Sequence, residues 1–180
     1  MISYIPNIIT SMRILGTACL LFVKPFSVLF YVIYTLSGLS DVLDGFIARK
    51  TGTISEFGTK LDSVADLLFY TVMLLRIFPF LLQTLPAAVW VTIIAVILIR
   101  LCAYTTAAIK YRRFASQHTW LNKASGAAVF AVAYFIKLPF AIPLCFIVCA
   151  IAGAASLEEF LIHIKNTEYR PEIKSLLQKV

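Results

Sequence analysis

The sequence predicts an all-α integral membrane protein, and three observations carry that reading. The chain is 61% apolar over 180 residues with a mean hydropathy of +0.90, well above the roughly 45–50% apolar usage of soluble domains. The apolar residues come in long runs such as FSVLFYVIYTLSGLS, AAVWVTIIAVILI and FAIPLCFIVCAIAGAA. Proline and charge divide those runs into six segments, each near the length that crosses a bilayer.

The segments follow in order. The first, about residues 6–23, opens at Pro6 and Asn7 and stops at Lys24-Pro25. The second, about 26–48, stops at Arg49-Lys50. The link TGTISEF carries Gly52 and then Ser55, a candidate N-cap with Glu56 behind it. The third runs from about 55 to 78 and ends near Pro79. The fourth covers about 86–110, and KYRRFASQHTW forms a polar link. The fifth covers about 120–136 and stops at Lys137 and Pro139, and the sixth covers about 140–156. Residues 1–156 therefore read as one six-helix transmembrane domain. Residues 157–180 read as a charged cytoplasmic tail, a short helix followed by a frayed end, with His163 on its surface. No secretory leader is expected, because the first apolar segment carries Arg13 and lacks a small-residue cleavage site. Cys19, Cys102, Cys145 and Cys149 sit inside apolar runs, form no CxxC pair, and read as small packing residues.

The net charge is +7. Its lysines and arginines lie at segment ends rather than on one soluble face, which argues against nucleic acid as a partner and for the bias that sets membrane topology. With six crossings, Arg13, Arg49, Lys50, Lys60, Lys110, Arg112, Arg113, Lys123 and the tail cations fall on one side. Lys24, Arg76 and Lys137 fall on the other, and Arg100 stands inside the fourth segment. Both termini are expected in the cytoplasm of a multi-pass protein of the cell membrane.

All four aspartates lie in DVLDGFIARKTGTISEFGTKLDSVAD: Asp41 and Asp44 end the second segment, Asp62 and Asp66 start the third. Spacings of three and four place each pair on one helix face. Two antiparallel helices joined by a short link bring the four carboxylates together at a cytoplasmic membrane edge. Like charges there repel and are costly unless a cation stands among them. Arg49 is a candidate, but one guanidinium does not balance four carboxylates. A divalent ion does, and all-oxygen ligation suits Mg, Mn or Ca. Magnesium usually shares its ligands with substrate phosphates, so the cluster reads as a metal site for handling a phosphate or diphosphate. Gly45 and Gly58 flank it, with Ala48 one turn from Gly45, and suggest close approach of a ligand. Tight helix packing through small residues is the other reading.

The stretch Asp41-x2-Asp44-Gly45-x2-Ala48-Arg49-x8-Gly58-x3-Asp62-x3-Asp66 resembles the CDP-alcohol phosphotransferase signature at every fixed position. Pro6-Asn7-Ile8-Ile9-Thr10-Ser11-Met12-Arg13 is similar to the short amphipathic entry segment of many members. The resemblance implies a six-helix membrane enzyme with its polar active site on the cytoplasmic side. It also implies a reaction. An alcohol attacks the β-phosphorus of a CDP-linked lipid, usually CDP-diacylglycerol, and CMP leaves. It implies that Asp41, Asp44 and Asp62 bind divalent metal and the diphosphate, as a pair of Mg2+ or Mn2+ ions. Asp66 would be the general base on the acceptor hydroxyl and would also lie at the metal site. Gly45, Ala48, Arg49 and Gly58 would line the CDP pocket, and the protein would be a homodimer.

The acceptor is less sharply written. Arg100, Lys110, Arg112, Arg113 and Lys123 are candidate acceptor-binding cations and favour an anionic alcohol such as glycerol 3-phosphate. Lys110, Arg112 and Arg113 also fit plain topology anchors. Arg100 is expected to pair with an aspartate, to hold a phosphorylated acceptor, or to snorkel to the surface. Ser63 and Leu67 depart from the Pro and Lys usual in phosphatidylglycerophosphate synthases. That keeps serine, inositol and inositol phosphate open as acceptors. A cation channel or transporter would also place aspartates in a membrane, but it gives no reason for Gly45, Arg49 and Gly58 at these spacings.

Overall fold

The computed structural model describes residues 5–52, 55–112, 117, 119–166, 169 and 173–176, with the side chains of residues 5, 42, 48, 49 and 56 outside that description. The described residues form six helices and no strand: α1 (Ile5–Leu20), α2 (Val28–Thr51), α3 (Glu56–Thr84), α4 (Ala87–Tyr111), α5 (Trp120–Phe135) and α6 (Ala141–Lys165). Four of them, α2, α3, α4 and α6, are long and apolar enough to cross a membrane. Large apolar side chains face outward along the helices, among them Met12, Val28, Leu67, Val91, Val129 and Ile147. A soluble monomer does not carry so much exposed apolar surface, so the protein is membrane-embedded.

The chain forms two compact units, Met1–Thr84 and Leu85–Val180. In the first, α1 packs along both α2 and α3. A Cβ added at Gly16 would stand 3.2 Å from Ser37 Oγ, so α1 and α2 approach closely at this point. The segment expected as an amphipathic entry is the first half of α1, continuous with the rest. Helices α2 and α3 meet through Tyr34 and Phe69, whose rings stack at 5.5 Å. Gly52, at φ 64°, takes the left-handed conformation that ends α2. Ser55 caps α3 as its sequence position suggests, its Oγ accepting from Gly58 N at 3.0 Å.

The third segment was expected to end near Pro79, yet α3 runs through Pro79 to Thr84. A proline in a membrane helix removes one backbone donor. Ending the helix there would leave a whole turn of carbonyls without partners in lipid. Continuing is the smaller loss.

In the second unit, α6 packs against both α4 and α5. Lys110 Nζ donates to the carbonyls of His163 (2.9 Å) and Ile164 (2.8 Å), so the C-terminal ends of α4 and α6 lie together. Ala103, Ala107 and Ala155 are fully buried and permit the close packing. Arg112, at φ 52°, caps α4 in the left-handed conformation, and Thr119 Oγ1 caps α5 by accepting from Asn122 N.

The boundary expected at residue 156 falls inside α6, which continues to Lys165. The polar residues that read as a tail point inward: Glu159 and His163 are fully buried and Glu158 nearly so. His163, expected on a surface, therefore lies one turn beyond Glu159 on the packed face. Residues 173–176 fold back over this end. Lys174 O accepts from Trp120 N at 3.1 Å, and Glu158 Oε1 accepts from Leu176 N at 3.1 Å. All four cysteines are free.

Candidate active site

The last turns of α2 carry Asp41 and Asp44, and the first turns of α3 carry Asp62 and Asp66. The expected convergence occurs, but through a third element. Arg13 of α1 stands among all four carboxylates with its side chain almost wholly buried. Its Nη1 donates to Asp41 Oδ1 at 3.2 Å, Asp62 Oδ1 at 3.1 Å and Asp66 Oδ1 at 2.6 Å. Its Nη2 donates to Asp44 Oδ2, and its Nε to Ser40 Oγ at 3.3 Å. Thr10, one turn earlier on α1, donates its hydroxyl to the same Asp44 Oδ2 at 2.7 Å.

The four carboxylates are not equivalent. Asp44 is 4% exposed, closed in by Arg13 and Thr10. Asp41, Asp62 and Asp66 are each exposed by more than two-fifths. Those three present oxygens that lie within 4.8 Å of one another. Three hard anionic oxygens at that spacing, open on one side, fit Mg2+ or Mn2+, which take oxygen ligands and keep positions for water or substrate phosphate. The donor set thus agrees with the metal expected there.

The flanking positions divide. Gly45 is half-buried on α2. Gly58 faces α1: a Cβ added there would stand 2.8 Å from Asn7 Oδ1 and 3.0 Å from Ser55 Oγ. The side chains of Ala48 and Arg49, and all of Arg113, lie outside the described residues.

The remaining candidate cations sit in the second unit. Arg100 Nη1 donates to Glu159 Oε2 and to Asn122 Oδ1 at 2.8 Å. Its partner is a glutamate rather than the aspartate considered from sequence. Glu159 also accepts from Gln117 N at 2.8 Å and Asn122 Nδ2 at 2.9 Å. Lys110 binds the last carbonyls of α6, Lys123 Nζ lies 5.2 Å from the Trp120 ring centroid, and Arg112 is exposed at the end of α4.

Arg13 is the site residue that the sequence does not announce. As one of several cations on the expected cytoplasmic side it looks like a topology anchor. The available signal was electrostatic: four carboxylates needed a positive partner, and Arg13 is the one charged residue in α1.

Among curated proteins, the chain is 37% identical over 68 residues to a CDP-diacylglycerol–serine O-phosphatidyltransferase of Methanocaldococcus jannaschii, covering 38% of this chain and 31% of that protein. It is 45% identical over 65 residues to CDP-diacylglycerol–inositol 3-phosphatidyltransferase 1 of Arabidopsis thaliana, covering 35% and 28%. These matches span about a third of the relatives' length. A CDP-diacylglycerol–glycerol-3-phosphate 3-phosphatidyltransferase of Pseudomonas fluorescens is 29% identical over 188 aligned residues, covering 94% of this chain and 96% of that protein. No solved structure matches the chain. The sequence model of the CDP-alcohol phosphatidyltransferase family matches residues 3–159, which include every element of the aspartate site, and the chain belongs to that family.

Proposed function

We propose that this protein transfers the phosphatidyl group of CDP-diacylglycerol to a small alcohol and releases CMP. The observation that carries the reading is the convergence of Asp41, Asp62 and Asp66 on one point at the start of α3 and the end of α2. In the proposed reaction the acceptor hydroxyl oxygen attacks the β-phosphorus. The bond from that phosphorus to the CMP oxygen breaks, and the hydroxyl proton passes to Asp66. Asp41, Asp62 and Asp66, with Asp44 beside them as the fourth carboxylate, would hold the divalent metal, two ions at full complement. Bound metal neutralises the charge that builds on the diphosphate and orients the leaving group. Asp66 lies in the open part of the cluster, where a base can reach a hydroxyl. Gly45, Ala48, Arg49 and Gly58 line the CDP pocket in this reading.

Glycerol 3-phosphate is the proposed acceptor. The support is the Pseudomonas fluorescens relative, which aligns over almost its whole length, together with the strongly basic chain. Serine is the second reading, favoured by the serine-using relative and by Ser63 and Leu67 at the two positions that depart from the glycerophosphate pattern. We further propose that all six helices cross the cell membrane, with both termini and the aspartates on the cytoplasmic side, and that the protein works as a homodimer.

The test is CMP release by purified protein with CDP-diacylglycerol and Mg2+ or Mn2+. Glycerol 3-phosphate, serine, inositol and inositol phosphate are offered one at a time. Release with glycerol 3-phosphate alone, lost on chelation, is the expected result. Release with serine alone would transfer the assignment to the second reading. Ion flux without CMP release from any acceptor would point to transport.

A further inference from the structure

Arg13 does more than stand near the aspartates. Asp41, Asp62 and Asp66 are the three carboxylates grouped closely enough to hold a divalent ion, and the Oδ1 of each accepts from the same atom, Arg13 Nη1, at 3.2, 3.1 and 2.6 Å. A magnesium ion binding those oxygens stands about 2.0–2.1 Å from each. On the face of those oxygens that Nη1 occupies, the ion and the nitrogen would stand too close to coexist, so there they exclude one another.

We propose that Arg13 is a built-in placeholder for the catalytic metal. Its Nη1 neutralises and gathers the aspartates before metal loads, and must be displaced for the metal to enter. The inference rests on the metal reading given above. An arginine cannot leave by losing its proton, because its guanidinium stays charged. Nη1 must move. The guanidinium is planar and rigid, so Nη1 leaves only when the whole group turns. That turn exchanges the bonds of Nη2 to Asp44 and of Nε to Ser40, while Thr10 keeps its own bond to Asp44.

The arrangement answers an electrostatic need. Without a cation, four neighbouring carboxylates would push the ends of α2 and α3 apart. A single guanidinium on α1 ties both helices to a third. Metal then brings more positive charge to the same point, so loading replaces one cation with another. The consequence is a competition: Arg13 weakens metal binding in exchange for an assembled site.

The experiment uses the full chain in detergent without CDP-lipid. Mn2+ binding is followed by the electron paramagnetic resonance signal of the free ion, and thermal unfolding is recorded in chelator and in saturating Mn2+. Arg13→Gln is expected to bind Mn2+ about tenfold more tightly than the original protein, a shift that equilibrium titration resolves. It is also expected to melt lower in chelator and to recover most of that loss in Mn2+. Arg13→Lys, which keeps the charge but cannot span four carboxylates, should fall between the two and serves if Arg13→Gln does not fold. A merely structural arginine would not tighten metal binding when removed. Equal or weaker Mn2+ binding in the variants that fold would overturn the proposal and leave the metal reading standing. Absence of Mn2+ binding by the original protein as well would overturn both.

Discussion

At the scale of single residues, the four aspartates divide by exposure and should divide by mutant phenotype. Asp66 sits in the open group and has the proposed role of base. Asp66→Asn keeps its size, and its amide remains near Arg13. CDP-diacylglycerol binding should persist, while turnover falls by about 100-fold or more, the usual contribution of a positioned base. Asp41→Asn and Asp62→Asn should weaken Mg2+-dependent CDP-lipid binding as well as turnover. Separate binding and CMP-release assays distinguish the two patterns, and full activity in Asp66→Asn would remove the base assignment. Gly58 supplies a second residue-level prediction. Alanine there gains about 1 kcal/mol of helix propensity, but its methyl meets Asn7 Oδ1 at 2.8 Å and the capping Ser55 Oγ at 3.0 Å. Both oxygens end short side chains that can turn. Gly58→Ala should therefore leave the melting temperature within a few degrees and still lower the affinity for CDP-lipid. An unchanged affinity would favour simple packing over a pocket role. The aspartates were legible because helix spacing is a local property of sequence. Arg13 was not, because its partners lie between 27 and 53 positions away, and nothing local distinguishes it from an anchoring cation.

At the scale of elements, segment identity was legible and segment ends were not. The apolar runs locate all six helices, because burial in lipid requires long uninterrupted stretches. Proline and charge misled at two places. Pro79 looked like a stop, but lipid penalises an open helix end more than one missing donor. Glu158, Glu159 and His163 looked like the start of a tail, but their partners were out of sight in sequence. Glu159 is held by Arg100, Asn122 and the backbone of Gln117. It joins α4, α5 and the link before α5 to α6. Removing it in Glu159→Ala leaves a buried N–H and a charged guanidinium without their acceptor. Breaking a fully buried pair costs roughly 3–5 kcal/mol. Arg100 keeps 26% of its side chain exposed and can turn toward solvent, so about 2 kcal/mol is expected. Thermal unfolding in detergent measures it. Glu159→Gln, which keeps an acceptor for Gln117 N and Asn122, should lose less. An equal loss in both variants would show that charge, not the hydrogen-bond network, carries the stabilisation.

At the scale of the molecule, the question is whether the two short helices cross the membrane. Helices α1 and α5 have 16 residues each, or about 24 Å at the helical rise, somewhat less than a bilayer core. The six-crossing arrangement proposed above has support in contacts inside each unit. In the second unit, Lys110 near the end of α4 touches the carbonyls of His163 and Ile164 near the end of α6. Two neighbouring helices with their ends on one side run parallel; in the six-crossing reading the chain between them returns across the membrane, and among the described residues α5 is the helix available for it. In the first unit, Arg13 meets the end of α2, while Arg76 of α3 donates to the carbonyl of Val23 just beyond α1. Helix α1 thus runs beside α3 from the aspartates to its opposite end. The distribution of lysine and arginine then sets direction. A single cysteine placed at Lys24 or Lys137 in a protein lacking its own cysteines should react with a membrane-impermeant thiol reagent in intact cells. One placed at Thr51 or Asn166 should react only after permeabilisation. The reverse pattern would invert the protein and place the aspartates outside. Labelling of position 24 together with 166, or of 51 together with 137, in intact cells would mean that α5 does not return the chain, and the six-crossing arrangement would fall.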